Sequence, residues 1–230
     1  MLSVVQSDRI HVLSDAAIYD RRTGVLTDLA MKILPLPRAN AVFSSRGSAE
    51  AFAWFWAACS LTNYEGHDGF RRAADDVWEE FQRIAPGVSC EVMVAGWSDA
   101  AGRGEVLYRC AEQIHEGLPP GAWYVLGDVA AFGFDLDVDP ASFDPVVDAL
   151  PAFQHARREV NDLSFGRGEP VWGHGVGGWV SHVVVAPGGE PECETLHMWP
   201  DVVGDRIEPD YVARRWEDEV GERLGASVLA

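Results

Sequence analysis

The 230-residue chain has little positive charge. Its 18 basic residues stand against 36 acidic ones, which gives a formal net charge of −18. A protein with this balance repels the phosphate backbone of nucleic acids and the headgroups of anionic lipids, and no basic stripe in the sequence offsets the repulsion. The sequence therefore predicts that neither a nucleic acid nor a membrane is a partner.

Long hydrophobic runs and closely spaced cysteines are also absent. No stretch approaches the run of about 18 apolar residues that a membrane-spanning helix needs, and the first residues, MLSVVQSDR, lack the basic-then-apolar order of a signal peptide. The cysteines lie far apart without a CxxC pair, which is typical of reduced thiols rather than of disulfides or a metal site. We therefore expect a cytoplasmic protein.

Motifs of several enzyme classes are missing as well. The chain has no GxGxxG, no Walker GxxxxGK[ST], no HExxH and no GxSxG. The acidic run at 135–139 resembles the start of a calcium loop, but Pro140 stands where that loop needs glycine. His174 and His182 would share a strand face only if the strand ran that far, and no third ligand accompanies them. We therefore expect neither a metal ion nor a cofactor.

Lysine is almost absent. Lys32 is the single lysine, and all other basic residues are arginine. Lysine can lose its proton when it is buried, whereas arginine effectively cannot. A lysine that is tuned by its neighbours and a chance survivor of an arginine bias explain this composition about equally well.

Hydrophobic patterning predicts one α+β domain over residues 1–230. The expected strands cover 3–6, 10–14, 24–29, 31–36, 41–44, 88–96, 105–110 and 122–126, with a hairpin within 175–199. The expected helices cover 49–61 after an N-cap at Ser48, 68–84, 143–162 and 209–224. Strands and helices come in separate blocks, which favours a sandwich with antiparallel sheets over a parallel fold. No linker or repeat divides the chain.

The helix after Ser48 is apolar nearly all round, with Phe52, Trp54, Phe55 and Trp56 in close succession. A helix without a polar face needs cover on several sides. We therefore expect the domain core on one side of this helix and a second subunit as a candidate for another, which makes a homo-oligomer the expected assembly.

Several segments, in chain order, resemble a proteasome β-type subunit, including its bacterial HslV relatives. They are DRIHVLSDAA, MKILPL, VFSSRGSAEAF, EVMVAGWSDAAGRGEVLY, WYVLGDVAAFGFD and GVGGWVSHVVV. The resemblance covers most of residues 3–190. It implies the Ntn-hydrolase fold, a four-layer αββα sandwich in which two antiparallel sheets lie between helical layers. The alternative is an unrelated α+β domain.

The resemblance also implies a site. In that family an N-terminal threonine, or occasionally serine or cysteine, supplies the nucleophile, and its free α-amine serves as the base. By resemblance, Lys32 has the electrostatic role, Asp15 orients Lys32, and Gly47 donates a backbone N–H to the oxyanion. No cofactor is implied.

The nucleophile departs from the family pattern. Alignment on Asp15 places the family's threonine about two residues before Met1. Ser3 would be exposed only by cleavage after Leu2, and it is about four residues too close to Asp15. We therefore predict a proteasome-like protein that has lost peptidase activity and serves as a structural or binding subunit, with a peptide or small molecule as a possible ligand. The alternative is an active peptidase or amidohydrolase that uses Ser3.

Overall fold

The computed structural model describes residues 1–112, 115 and 117–209, which form a mixed α and β structure with antiparallel sheets and few helices. Its strands are β1 (Leu2–Val5), β2 (Ile10–Asp15), β3 (Ala17–Tyr19), β4 (Leu26–Leu29), β5 (Ile33–Pro35), β6 (Ala41–Gly47), β7 (Cys90–Ser98), β8 (Arg103–Cys110), β9 (Tyr124–Val125), β10 (Val129–Ala131), β11 (Asn161–Asp162), β12 (Trp172–Gly173), β13 (Trp179–Val185) and β14 (Glu192–Met198). Its α-helices are α1 (Ala51–Leu61), α2 (Gly66–Ile84) and α3 (Leu150–Arg158). Apart from Pro209, the helix expected over 209–224 lies outside the described residues.

The first five-stranded sheet has the order β10-β1-β2-β13-β14, with every neighbouring pair antiparallel. Strands β1 and β2 form the hairpin that the sequence predicted, closed by a hydrogen bond from Gln6 N to Arg9 O at 2.8 Å. Side chains alternate along each strand, so Ile10 and Val12 lie on one face of the sheet while Leu13 lies on the other.

The second five-stranded sheet has the order β5-β6-β7-β8-β9 and is also antiparallel. One buried cluster takes side chains from both large sheets. Its members include Ile10, Val12, Val42, Met93, Val106 and Val183. Burial of each such side chain contributes about 1.5–3 kcal/mol, so this contact is a large part of the core.

Helices α1 and α2 pack together and contact the opposite face of the second sheet. Phe43 of β6, Phe55 of α1 and Trp78 of α2 belong to one buried cluster there. Helix α2 buries one face and exposes charged residues on the other, as its periodicity predicted. Among the described residues, no helix is both long enough and apolar enough to cross a membrane.

Two predicted helix boundaries are wrong. Ser48 is not the N-cap of α1, because the helix begins at Ala51 with Glu50 at the N-cap position; the Ser48 carbonyl oxygen accepts from Ala51 N and closes the turn that precedes the helix. The helix expected over 143–162 is shorter. It begins as a π-helical turn capped by the carboxylate of Asp144 and ends at Arg158, and Pro151 lies in the first turn of α3, where no backbone N–H is needed.

Candidate functional site

Asp15 and Lys32 form an ion pair where β2 ends. Nζ of Lys32 lies 3.0 Å from both carboxylate oxygens of Asp15, and the two side chains are only 12–15% exposed. The Asp15 carboxylate also accepts hydrogen bonds from the N–H groups of Ala17 at 3.0 Å and Gly177 at 3.4 Å. These charge-assisted contacts hold the single lysine in one orientation.

Gly47 is the last residue of β6 and has a φ of +110°. A β-carbon at this position would lie 2.6 Å from the carbonyl oxygen of Ser89. The local backbone therefore requires glycine, whatever chemistry the site performs. Gly47 lines the same cleft as Asp15 and Lys32, but its role as an oxyanion donor stays a prediction.

Met1 lies at the same cleft, at a position that the sequence alignment missed. Its α-amino group is buried and donates to the carbonyl oxygen of Phe132 at 3.2 Å, and its side chain packs between the two large sheets. Burial lowers the pKa of this amine to about 5; the charges of Arg46 and Lys32 act in the same direction, and that of Asp15 opposes them. The amine is therefore neutral at pH 7.

Ser3, the alternative nucleophile, lies in the middle of β1 between Val12 of β2 and Ala130 of β10. It is fully buried, and its Oγ has no hydrogen-bond partner among the described residues. Ser3 is not among the residues that line the cleft. The structure thus brings Asp15, Lys32 and Gly47 to one cleft and places Ser3 outside it.

The cleft, which we call the Lys32 cleft, has a volume of about 990 Å³. Apart from Met1, Lys32 and Phe153, its lining residues come from four segments, 14–22, 45–52, 132–134 and 161–176. The first contains strand β3, and the last contains the short β11–β12 hairpin. Because these segments are far apart in the sequence, only the fold brings them together.

A buried carboxylate next to the cleft also escaped sequence analysis. Glu91 is 2% exposed; it accepts a hydrogen bond from the Tyr108 hydroxyl at 2.9 Å and lies 2.6 Å from Nε2 of His115. Nη1 of Arg46 lies 3.4 Å from its other oxygen. Burial and the charge of Glu91 raise the pKa of Tyr108, so this hydroxyl stays a donor. Within its strand, Glu91 carries no local signal that distinguishes it from an exposed residue.

His174 and His182, the pair considered in the sequence, lie in different surroundings. Among the described residues, no group of three or more His, Cys, Asp or Glu side chains is arranged to hold an ion. His174 Nδ1 contacts the carbonyl oxygen of Glu159 at 3.1 Å, whereas His182 lies beside His11 in the first sheet. The two histidines considered together in the sequence are therefore engaged with different partners.

The site offers a fixed ammonium–carboxylate pair, a neutral amine and several arginines. Such groups orient a ligand and stabilise negative charge. The side chain of Met1 carries neither a hydroxyl nor a thiol, so Met1 itself offers no hydroxyl oxygen or thiol sulfur for nucleophilic attack.

Comparison with known proteins supports the fold. No protein-family model matches the chain, and no curated protein matches it. The structure is similar to that of Anbu (ancestral beta-subunit) from Yersinia bercovieri, with a TM-score of 0.52 and 9% sequence identity over 98% of this chain and 96% of that one. It is also similar to an Anbu (Gly-1) mutant from Hyphomicrobium sp. strain MC1, with a TM-score of 0.53 and 12% identity over 97% and 95% of the two chains.

These matches correct the family assignment made from the sequence. The neighbours are Anbu proteins, a distinct proteasome-like family, and the HslV-like assignment is therefore wrong. At 9–12% identity the similarity concerns the fold alone. The chain has a proteasome-like, Ntn-type fold.

Proposed function

We propose that this chain is a proteasome-like subunit without peptidase activity that binds a peptide or small molecule in the Lys32 cleft. One observation carries the proposal: the residue beside the Asp15–Lys32 pair is Met1, whose side chain has no nucleophilic atom for acyl transfer. The polar groups of the site remain held in place, which suits binding better than loss of all function.

The proposal includes a single domain with the four-layer αββα arrangement. Its support is the packing on the outer faces of the two large sheets. Helices α1 and α2 contact one outer face, and Phe143 and Phe153 lie in a buried cluster with Leu13 and Val180 on the other.

The proposal also includes a homo-oligomer in the cytoplasm, with neither nucleic acid nor membrane as a partner. Helix α1 buries Phe55 against the core but leaves Trp54 at 42%, Trp56 at 46% and Leu61 at 66% exposed. Large apolar side chains grouped on one exposed helix favour a protein interface. The name of the Anbu neighbour, ancestral beta-subunit, describes a protein of an assembly, which is consistent with this role.

The discriminating experiment uses protein purified without an N-terminal tag. Its denatured intact mass gives the first residue, native mass spectrometry gives the assembly, and chromatography of a mixture of unlabelled peptides measures hydrolysis. We expect a chain that starts at Met1, a closed oligomer and intact peptides. The variants Ser3→Ala and Ser7→Ala are matched, since Ser7 is exposed in the β1–β2 turn.

Hydrolysis that Ser3→Ala abolishes and Ser7→Ala preserves would make Ser3 the nucleophile and overturn the proposal. An intact mass that corresponds to a chain starting at Ser3 would also support Ser3 as the nucleophile. Because the Ser3 hydroxyl is buried without a partner, we expect Ser3→Ala to fold at least as stably as the parent protein.

A further inference from the structure

Basic residues are concentrated in the Lys32 cleft, although the chain as a whole carries a strong negative charge. Within the described part of the chain, five basic residues and four acidic residues line it, although the sequence holds twice as many acidic residues as basic ones. The basic residues are Arg21, Arg22, Lys32, Arg46 and Arg167, and the acidic ones are Asp15, Asp20, Asp162 and Glu169. In a protein of net charge −18, the lining of this cleft is thus far less acidic than the chain as a whole.

Three of the four acidic residues already have partners inside the protein. Asp15 pairs with Lys32. Asp20 accepts from its neighbouring N–H groups, the nearer one that of Arg22 at 2.7 Å, and Asp162 accepts from the N–H of Ser164 at 2.9 Å. Donors within the protein therefore already offset part of the negative charge of these three carboxylates.

Two of the arginines, by contrast, retain hydrogen-bonding capacity. Nη1 of Arg46 is buried and has no hydrogen-bond partner in the described part of the chain. Its nearest carboxylate oxygen, Oε1 of Glu91, lies 3.4 Å away, and the Tyr108 hydroxyl binds the other oxygen of that carboxylate. The guanidinium of Arg21 forms no ion pair with any described residue. Because the Arg46 side chain as a whole is 25% exposed, a ligand oxygen in the cleft can approach its guanidinium group.

Arg21, Arg46 and Tyr19 line the same cleft. Burial raises the pKa of Tyr19 to about 12, with a further contribution from Asp15, while the charges of Arg46 and Arg21 oppose the rise. Tyr19 itself lines the cleft. The two guanidinium groups therefore belong to one binding region.

Aromatic rings lie beside these charges. The cleft is lined by Tyr19, Phe52, Phe132, Phe134, Phe153 and Phe165. Phe165 is 45% exposed with a φ of +54°, so the turn between β11 and β12 presents a large apolar ring rather than burying it. A ligand that fills this cleft needs both a negative group and apolar surface.

We propose that the Lys32 cleft binds peptides through a carboxylate, with Arg46 as its main partner, Arg21 as a second one, and an adjacent apolar side chain against the aromatic rings. The planar guanidinium fork matches a carboxylate. A polyphosphate fits less well, because Asp15 neutralises Lys32 and Glu169 adds negative charge at the rim. This inference rests on the proposed binding role of the cleft.

The test is calorimetric titration of the full chain with three unlabelled peptides that differ in their carboxylate. Ac-Ala-Ala-Phe with a free C-terminus carries a terminal carboxylate, the same peptide amidated carries none, and amidated Ac-Ala-Phe-Glu carries a side-chain carboxylate. We expect at least one acidic peptide to bind about tenfold or more tightly than the neutral peptide. The comparison between the two acidic peptides shows which carboxylate is recognised.

Arg46→Gln is expected to remove most of the difference in affinity between the acidic and the neutral peptides, and Arg21→Gln is expected to remove part of it. Arg9→Gln is the matched control, since Arg9 is exposed, pairs with Asp8 and does not line the cleft. If Arg46→Gln fails to fold, the Arg21→Gln variant still tests the inference. Equal binding of acidic and neutral peptides, or tighter binding of inorganic pyrophosphate than of either acidic peptide, would overturn it.

The same samples separate this inference from the proposed function. Selective binding of an acidic peptide followed by its hydrolysis would support carboxylate recognition and contradict the loss of peptidase activity. Absence of peptide binding in an intact, inactive oligomer would overturn carboxylate recognition and leave the structural role of the subunit standing.

Discussion

Nδ1 of His11 lies 2.8 Å from Nε2 of His182, and their rings are stacked with centroids 5.1 Å apart. The amide of Gln6 determines which nitrogen of His11 donates. Gln6 Nε2 donates to two backbone carbonyls, so its Oε1 accepts from Nε2 of His11 at 3.0 Å. Nδ1 of His11 then accepts from His182, whose other nitrogen lies 2.8 Å from Glu194. Neutral His11 fits this chain of hydrogen bonds, and a second proton on His11 breaks it.

This network predicts that acid destabilises the fold. The pKa of His11 is lowered to about 4, mainly by burial; the charges of His182 and Arg9 act in the same direction, and those of Asp8 and Asp144 oppose them. Below about pH 6.5 the unfolded chain binds a proton that the folded chain excludes, so stability is full above that pH and falls as the pH approaches about 4.

Urea midpoints measured from about pH 8 to about pH 4 check the acid prediction. His11→Gln is expected to reduce the dependence without abolishing it, because burial also lowers the pKa of His67. His155→Gln changes an exposed histidine and serves as the control. A His11→Gln protein with the pH dependence of the parent would contradict the role of His11.

We predict that removing Asp15 lowers the free energy of unfolding more than removing Lys32 does. Asp15→Ala leaves the Lys32 ammonium unpaired and removes the acceptor of the Ala17 and Gly177 N–H groups, so we expect a loss of about 4 kcal/mol in the free energy of unfolding. Lys32→Ala leaves the Asp15 carboxylate with those two donors, and we expect a loss of about 2 kcal/mol.

Urea denaturation of both variants and of the double variant Asp15→Ala/Lys32→Ala measures this coupling. The double variant should lose less than the sum of the single losses, because it leaves no unpaired charge. Asp8→Ala, in the exposed pair with Arg9, should leave the free energy of unfolding unchanged. Additive losses would show that the two residues are not energetically coupled.

Gly47→Ala is expected to destabilise the fold independently of any chemistry at the site. Its β-carbon would meet Ser89 O at 2.6 Å and Cys90 Cα at 3.0 Å, both backbone atoms that cannot move alone. We expect a loss of about 3 kcal/mol or more. The control is Gly87→Ala, where φ is +78° but no atom lies within 4 Å, and where about 1 kcal/mol is expected. Similar thermal midpoints for the two variants would show that the β6–α1 turn relaxes.

Local patterns predicted much of the fold because its causes are local. Short runs of β-prone residues marked β2 and β7, and the helical period of Phe70, Val77 and Phe81 marked α2. Family resemblance paired Asp15 with Lys32 although 17 residues separate them. The same resemblance led to the wrong relative, because at identities of 9–12% few letters distinguish one proteasome-like family from another.

The rest of the candidate site could not be predicted, because it depends on contacts between distant segments. Arg21, Arg46 and Arg167 stand in three unrelated stretches of sequence and reach one cleft only through the packing of the sheets and the β11–β12 hairpin. The position of Met1 beside the ion pair depends on the pairing of β1 with β10, which the sequence analysis did not identify. Ser48 was predicted to be the N-cap because the sequence does not reveal the positive φ of Gly47, the residue directly before it.

We predict that the side chain of Arg38 stabilises the C-terminal end of helix α1. The last carbonyl groups of a helix have no partner within it. The Arg38 guanidinium donates to the carbonyl oxygens of Cys59, at 3.1 Å, and of Thr62. The same guanidinium lies 5.1 Å from the ring centroid of Tyr64. Arg38→Ala should cost about 1 kcal/mol in the free energy of unfolding, and Arg38→Lys should cost less because it keeps the charge near the helix end. Amide hydrogen exchange at the end of α1 should accelerate in Arg38→Ala and stay unchanged in Arg83→Ala, where the arginine pairs with Glu80 on the surface. Equal exchange in the two variants would show that Arg38 does not stabilise this end of the helix.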